Sequence, residues 1–216
     1  MVIMSKIQQH LLLFDLDGVL YDSQDMHYHA LNDALKFWGI KPIDYDDHLR
    51  NYNGLPTWKK LEILNVNFPY REKVEIKKQE ITYEEISKFG KDKELREILS
   101  ALREKYLLAV ASNSKRRTVY TALDRLGIID LFTVQYSAED VSRPKPYPEI
   151  YWKCMSKVGC TVLNTIAIED SPIGIEGILA SGIRRYIKVD GRDDLNDITP
   201  DYLSQLMRNE WKTLTS

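Results

Sequence analysis

Short apolar runs alternate with helical patterns along most of this chain. Three segments share one order, in which an apolar run is followed by a few polar residues and then by a helical pattern. The runs are LLLFDLDGVL at residues 11–20, YLLAVASNS at 106–114 and TIAIEDS at 165–171. Each has the length and composition of a strand buried on both faces, as in a parallel sheet. After the third run, Ser171 can N-cap a helix, Pro172 suits its first position and Gly182 its stop. Ser114 is placed to cap the helix after the second run, which ends near Gly127. Asp22 or Ser23 opens the helix after the first run, which ends near Gly39. Further strands are expected around FTVQY, residues 132–136, and RRYIKV, residues 184–189. Such alternation predicts an α/β fold with a parallel sheet and right-handed crossovers.

Residues 22 to about 91 break the alternation. They carry helical patterns (HYHALNDALKFWGI, TWKKLEIL and EKVEIKKQEITYEEISKF) without a buried strand. This predicts a small all-helical insert directly after the first strand. Residues 1–21 and 92–216 then form the core domain, and residues 22–91 a second domain.

Composition narrows the function classes. With 216 residues and 44% hydrophobic content, the chain can bury a real core. A formal charge of -2 gives no electrostatic case for nucleic acid or an anionic membrane. The two cysteines, Cys154 and Cys160, form no CxxC pair, and four histidines are present, which speaks against a disulfide framework or a structural zinc site. Without a long apolar span or a secretory signal, the expected compartment is the cytoplasm, and a monomer is the default.

The candidate chemistry lies where the three runs end, because ligands of open α/β sheets bind outside the carboxyl ends of the strands. Those ends carry Asp15 and Asp17, then Ser112 and Asn113, then Glu169 and Asp170. If the strands are neighbours, four carboxylates gather at one edge. Two unit charges ~4 Å apart repel by about 4 kcal/mol at an effective dielectric of ~20, so the cluster calls for a cation. Oxygen-only ligands select a hard ion, and Mg²⁺ is the usual one beside phosphate. Lys145, held between Pro144 and Pro146, can balance the carboxylates and bind a phosphoryl group. Helix N-termini after Ser112 and Asp170 would add backbone donors. Taken singly, a DxD at a strand end is ordinarily a turn, the serines are ordinarily caps, and Lys145 a solvated loop charge. Their joint order at one sheet edge is what those readings do not require.

Together, DLDGVLYDS, ASNS, RPKPYPEIY and IEDSPIGIEGILASG resemble the haloacid-dehalogenase-like superfamily, in the order of its motifs and over most of the chain outside residues 22–91. The resemblance implies a Rossmann-like three-layer core with a helical cap of the first cap class. It implies a phosphatase, or a sugar-phosphate mutase of the beta-phosphoglucomutase type, acting on a small phosphorylated metabolite. Asp15 would be the nucleophile, forming an aspartyl-phosphate, and Asp17 would move protons to the leaving oxygen and from the attacking water. Asp15 and Asp170 would hold Mg²⁺ with the backbone carbonyl of Asp17, and Glu169 directly or through water. Ser112 and Lys145 would hold the phosphoryl oxygens, helped by backbone groups of Gly18 and Asn113. One departure stands out. Many relatives carry glycine before the motif lysine, where this chain has Arg143 and Pro144.

Phosphonate-cleaving and dehalogenating relatives lack the second aspartate, so Asp17 speaks against both. A phosphatase is expected over a mutase, because nothing in the sequence singles out the mutase. An inert binding module is disfavoured, since every acidic and phosphate-binding group is present. Within the insert, His27 and Tyr28 read as ordinary helix residues and Lys59-Lys60 as a solvated face. Trp38, Trp58 and Tyr83 read as packing of the insert, and Lys115-Arg116-Arg117 as solvated charges.

Overall fold

The computed structural model describes residues 9–208. Five parallel strands form the sheet: β1 (His10–Phe14), β2 (Tyr106–Ala111), β3 (Val134–Tyr136), β4 (Thr165–Glu169) and β5 (Tyr186–Lys188). Their order is β3-β2-β1-β4-β5, which puts the first three apolar runs side by side at the centre. Leu13 lies opposite Ala109 on one side and Ala167 on the other. The outer strands β3 and β5 are shorter than the apolar runs that predicted them, because each is paired along only one edge.

The period of two along β1 splits its side chains between two cores. Leu12 and Phe14 pack with α5 (Lys93–Arg103), α6 (Arg116–Leu126) and α9 (Pro200–Arg208) through residues such as Leu99, Leu123 and Leu203. Leu11 and Leu13 face α7 (Glu149–Val158) and α8 (Pro172–Ser181) through Ile150, Tyr151, Cys154 and Ile178. These four side chains, Leu11 to Phe14, are buried, each worth about 1.5–3 kcal/mol relative to exposure. A central strand with no solvent face cannot slip register without carrying every side chain to the wrong core. That fixes the loop after it.

Helices α1 (Gln24–Phe37), α2 (Tyr45–Asp47), α3 (Thr57–Ile63) and α4 (Tyr70–Ser87) lie between β1 and α5 in the chain. Helices α1, α3 and α4 share their own cluster with the connecting segments, including Leu31, Leu35, Ile43, Leu61 and Val74. The buried positions of α4 are Val74, Lys78, Thr82 and Ile86, one stripe at four-residue spacing.

The helix ends follow the expected chemistry unevenly. Ser171 caps α8 through the Gly174 amide at 3.1 Å, and Gly182 closes it in the left-handed region. Ser23 sits at the N-cap of α1 without a capping bond. Asp22 instead accepts the Arg192 amide at 3.2 Å. Ser114 does not cap α6, whose N-cap is Lys115. Its hydroxyl has gone to the site.

Candidate active site

Asp15 follows the last residue of β1, and its amide donates to the Ile168 carbonyl of β4 at 2.9 Å, so the strand geometry extends through it. The chain then turns at Gly18, which has φ +82° and lies against Asp170. A Cβ there would overlap the Asp170 carboxylate, so this turn needs glycine on two counts. Gly174 plays a similar part from α8, where a Cβ would run into the Glu169 carboxylate.

Asp15, Glu169 and Asp170 can each aim one carboxylate oxygen so that all three lie within 4.8 Å of one another. Lys145 is the cation present. Its Nζ donates to Asp15 Oδ1 at 2.5 Å and to Glu169 Oε2 at 2.8 Å, and it is 4% exposed. Burial works against the ammonium charge, but Asp15 and Glu169 outweigh it and hold its pKa well above the ordinary lysine value. One lysine does not neutralise the cluster. Burial, reinforced by Glu169, pushes the Asp15 carboxyl well above its usual range despite Lys145. Burial and Glu169 likewise push Asp170 up to about 7. Three oxygen donors short of positive charge, with no nitrogen or sulfur among them, fit a hard divalent cation.

Asp17 lies two residues away in a different electrostatic setting. Its Oδ1 accepts from the Tyr21 hydroxyl at 2.8 Å and lies 2.7 Å from His27 Nε2; its Oδ2 accepts from the Ser114 hydroxyl at 2.6 Å. Burial opposes its charge, but His27, Ser114 and Tyr21 prevail and hold the carboxyl well below the usual range. His27 Nδ1 lies 3.2 Å from Lys78 Nζ. An ammonium can only donate, so the network assigns the ring proton to Nε2, facing Asp17. Burial and the Lys78 charge push the His27 pKa down, which agrees with a neutral ring.

The other expected residues converge on the same edge. Ser112 is fully buried, accepts the Ser114 amide at 2.9 Å and reaches Asp17 at 3.4 Å. The Asn113 side chain accepts from the Lys145 amide at 2.9 Å and donates to its carbonyl at 3.2 Å, so it fixes the lysine loop from behind. Glu169 also accepts the Ser171 hydroxyl at 2.8 Å, which ties it into the α8 cap. Asp17 lends no side-chain oxygen to the acidic trio.

Several sequence readings change. His27 is not an ordinary helix residue, and Lys60 is not on a solvated face: it is 7% exposed and lines the cavity above the acids, whereas Lys59 is exposed and pairs with Glu62 at 2.6 Å. Trp58 lines the same cavity, while Trp38 packs beside the insert's hydrophobic cluster and Tyr83 receives the Arg117 guanidinium at 4.2 Å. Lys115 pairs with Glu75 of α4 at 2.8 Å and Arg116 with Asp140 at 2.7 Å, so the basic run bonds to protein rather than standing free. Arg143 stacks on Tyr147 at 4.3 Å and does not line the cavity, so the departure before the motif lysine adds no cation there. Sequence reasoning did not place Tyr21, Lys78 or Ser114 at the site. Lys78 had a signal, being a lysine on an otherwise apolar or threonine stripe.

The family model described as haloacid dehalogenase-like hydrolase matches residues 12–188, which include every residue of the acidic cluster. The chain belongs to this family. Among relatives of this haloacid dehalogenase-like hydrolase, a phosphorylated carbohydrates phosphatase of Thermotoga maritima is 28% identical, over 82% of this chain and 84% of that protein. A fructose-1-phosphate phosphatase of Escherichia coli is 25% identical, over 80% of this chain and 92% of its own. In fold, the hydrolase is similar to a beta-phosphoglucomutase from Clostridium difficile, with a TM-score of 0.77 at 20% identity, covering 93% and 97% of the two chains. No helix among the described residues is long and apolar enough to cross a membrane.

Proposed function

We propose that this hydrolase is a Mg²⁺-dependent phosphatase that releases phosphate from a small phosphorylated metabolite, in the class of phosphorylated carbohydrates, through an aspartyl-phosphate at Asp15. The names of its relatives support phosphate hydrolysis on such molecules. The observation that carries the reading is the contrast between two acids two residues apart. Asp15 is bonded to Lys145, whereas Asp17 is bonded to His27, Tyr21 and Ser114. The two environments separate the roles by contact. Asp15 shares Lys145 within the acidic trio, where a divalent cation would restore its ionised form. Asp17 lends no side-chain oxygen to that trio and stands among groups that can exchange protons.

In this reading the Asp15 carboxylate attacks phosphorus, and the leaving oxygen departs from it in line. Lys145 and the Ser112 hydroxyl hold the phosphoryl oxygens, with backbone N–H groups near Gly18 and Asn113. Asp17 as found is ionised and suited to take a proton from water in the second step. To protonate the leaving oxygen first, it must gain a proton and loosen its bonds to the three donors. Asp15, Asp170 and the Asp17 carbonyl would hold Mg²⁺, with Glu169 beside them, and the ion would supply the positive charge the cluster lacks. Residues 22–91 would act as a cap whose inner face selects the substrate.

Phosphate release from nitrophenyl phosphate and from a panel of sugar phosphates is expected to fall to background in chelator and to return with added Mg²⁺. Release that chelator leaves untouched would contradict the metal role. Isomer interconversion of a hexose phosphate, followed by NMR, with little free phosphate would make the enzyme a mutase instead.

A further inference from the structure

We infer that Arg192 is a positioning residue for Asp17, because it fastens together the two connections that lead into and out of helices α1–α4. The inference rests on the phosphatase reading, in which Asp17 activates water, and adds to that step a residue outside the cavity. Residues 15–23 connect β1 to α1, and residues 88–92 connect α4 to α5. Arg192 lies in the loop after β5, is 8% exposed and meets both connections. Its backbone amide donates to Asp22 Oδ1 at 3.2 Å. One guanidinium nitrogen donates to both oxygens of Asp92, at 3.2 Å each, and to Glu94 at 3.1 Å. The connections also touch each other, with the rings of Tyr21 and Phe89 edge to face and their centroids 5.2 Å apart.

Contacts run without a break from this joint to the acid. Asp22 follows Tyr21, and a tight turn folds Tyr21 back on Asp17, with the Gly18 amide donating to the Tyr21 carbonyl at 3.0 Å. The Tyr21 hydroxyl then reaches Asp17 Oδ1 at 2.8 Å. Its ring is thus held by Phe89 on one side and through Asp22 on the other. Loosening either connection shifts the hydroxyl, and with it the carboxylate it orients. A shift of ~1 Å in such a group can cost about 10²-fold in rate. Arg192 does not line the cavity, so it reaches the chemistry only through these contacts. Burying a guanidinium carries a desolvation penalty that an apolar residue, such as the neighbouring Leu195, would avoid. Holding two connections in place gives that buried charge a use.

The test follows the phosphoryl label on Asp15 in wild type, Arg192→Met, Arg192→Lys, Tyr21→Phe and the double change Arg192→Met with Tyr21→Phe. Nitrophenyl phosphate loads the label, dilution removes the substrate, and loss of label reports attack by water. Counted per labelled molecule, that rate is not moved by a smaller folded fraction, which is all a merely structural role would change. Arg192→Met and Tyr21→Phe are each expected to slow label loss about tenfold, with label formation within about twofold of wild type. Arg192→Lys should stay within about twofold of wild type, since one nitrogen makes all three side-chain contacts to Asp92 and Glu94. The double change should be no slower than Tyr21→Phe alone, because Arg192 acts through Tyr21.

Label loss at the wild-type rate in Arg192→Met, or a double change as slow as the product of the single effects, overturns the role. If Arg192→Met does not fold, Asp92→Asn decides, since it keeps an oxygen for the Leu95 amide and loses the charge facing Arg192. Label loss should slow there too, and an unchanged rate overturns the role. Label that forms and leaves in wild type keeps such a failure distinct from a failure of the phosphatase reading. Should wild type take no label, amide hydrogen exchange decides the point. Arg192→Met should then speed exchange at Gly18 about tenfold and leave the Asp15 amide unchanged. Equal exchange at Gly18 would sink the inference.

Discussion

Asp15→Asn is expected to lower phosphate release by about 10⁴-fold or more, while the protein still folds. The amide keeps the shape of the side chain and an oxygen for Lys145, so packing at the end of β1 is preserved. What it loses is the electron pair that attacks phosphorus. It also removes one negative charge from a cluster in which Glu169 and Asp170 already raise the cost of ionising Asp15. Stability of the metal-free protein should therefore hold or rise. A variant that folds, as judged by its urea unfolding midpoint, and that retains more than about a hundredth of wild-type release would exclude Asp15 as nucleophile.

Lys145→Met should have the largest effect on stability. Lys145 is 4% exposed and bridges Asp15 and Glu169, themselves buried at 7% and 1%. Removing the cation that pairs with this buried cluster among the described residues leaves uncompensated carboxylates and costs about 3–5 kcal/mol. Urea unfolding without metal should show this loss, and saturating Mg²⁺ should recover part of it. The double change Lys145→Met with Asp15→Asn should be less damaging than the sum of its parts, because the second substitution removes one stranded charge. Additive losses would mean that the bridge seen between Lys145 and Asp15 does not bear on stability.

The core was legible because its signals are local. Residues 11–14, 107–111 and 165–168 are runs that no surface strand would show, and each is followed by polar groups where a parallel sheet opens to ligand. Asp15, Asp17, Ser112, Asn113, Lys145, Glu169 and Asp170 accordingly meet at one edge. The insert was less legible because its contribution depends on which helix faces turn inward. His27 lies ten residues beyond Asp17 and gains meaning only where α1 brings its ring against that carboxylate. Lys60 precedes the buried Leu61 on a short helix, where adjacent residues point in different directions and the pattern cannot tell an inward lysine from a solvated one. Ser114 illustrates a competition between two uses of one hydroxyl: a capping position and a charged acceptor lay within reach, and the carboxylate won.

The division of labour between the two aspartates can be tested by stopping the reaction between its steps. Asp17→Asn should still pass the phosphoryl group of nitrophenyl phosphate to Asp15, because nitrophenolate leaves without a proton. It should then fail to activate water. Acid quenching followed by borohydride reduction and peptide mass spectrometry is expected to find the reduced acyl phosphate on Asp15, at close to one per molecule. A label on another residue, or steady turnover of this variant at the wild-type rate with no label, would contradict the account.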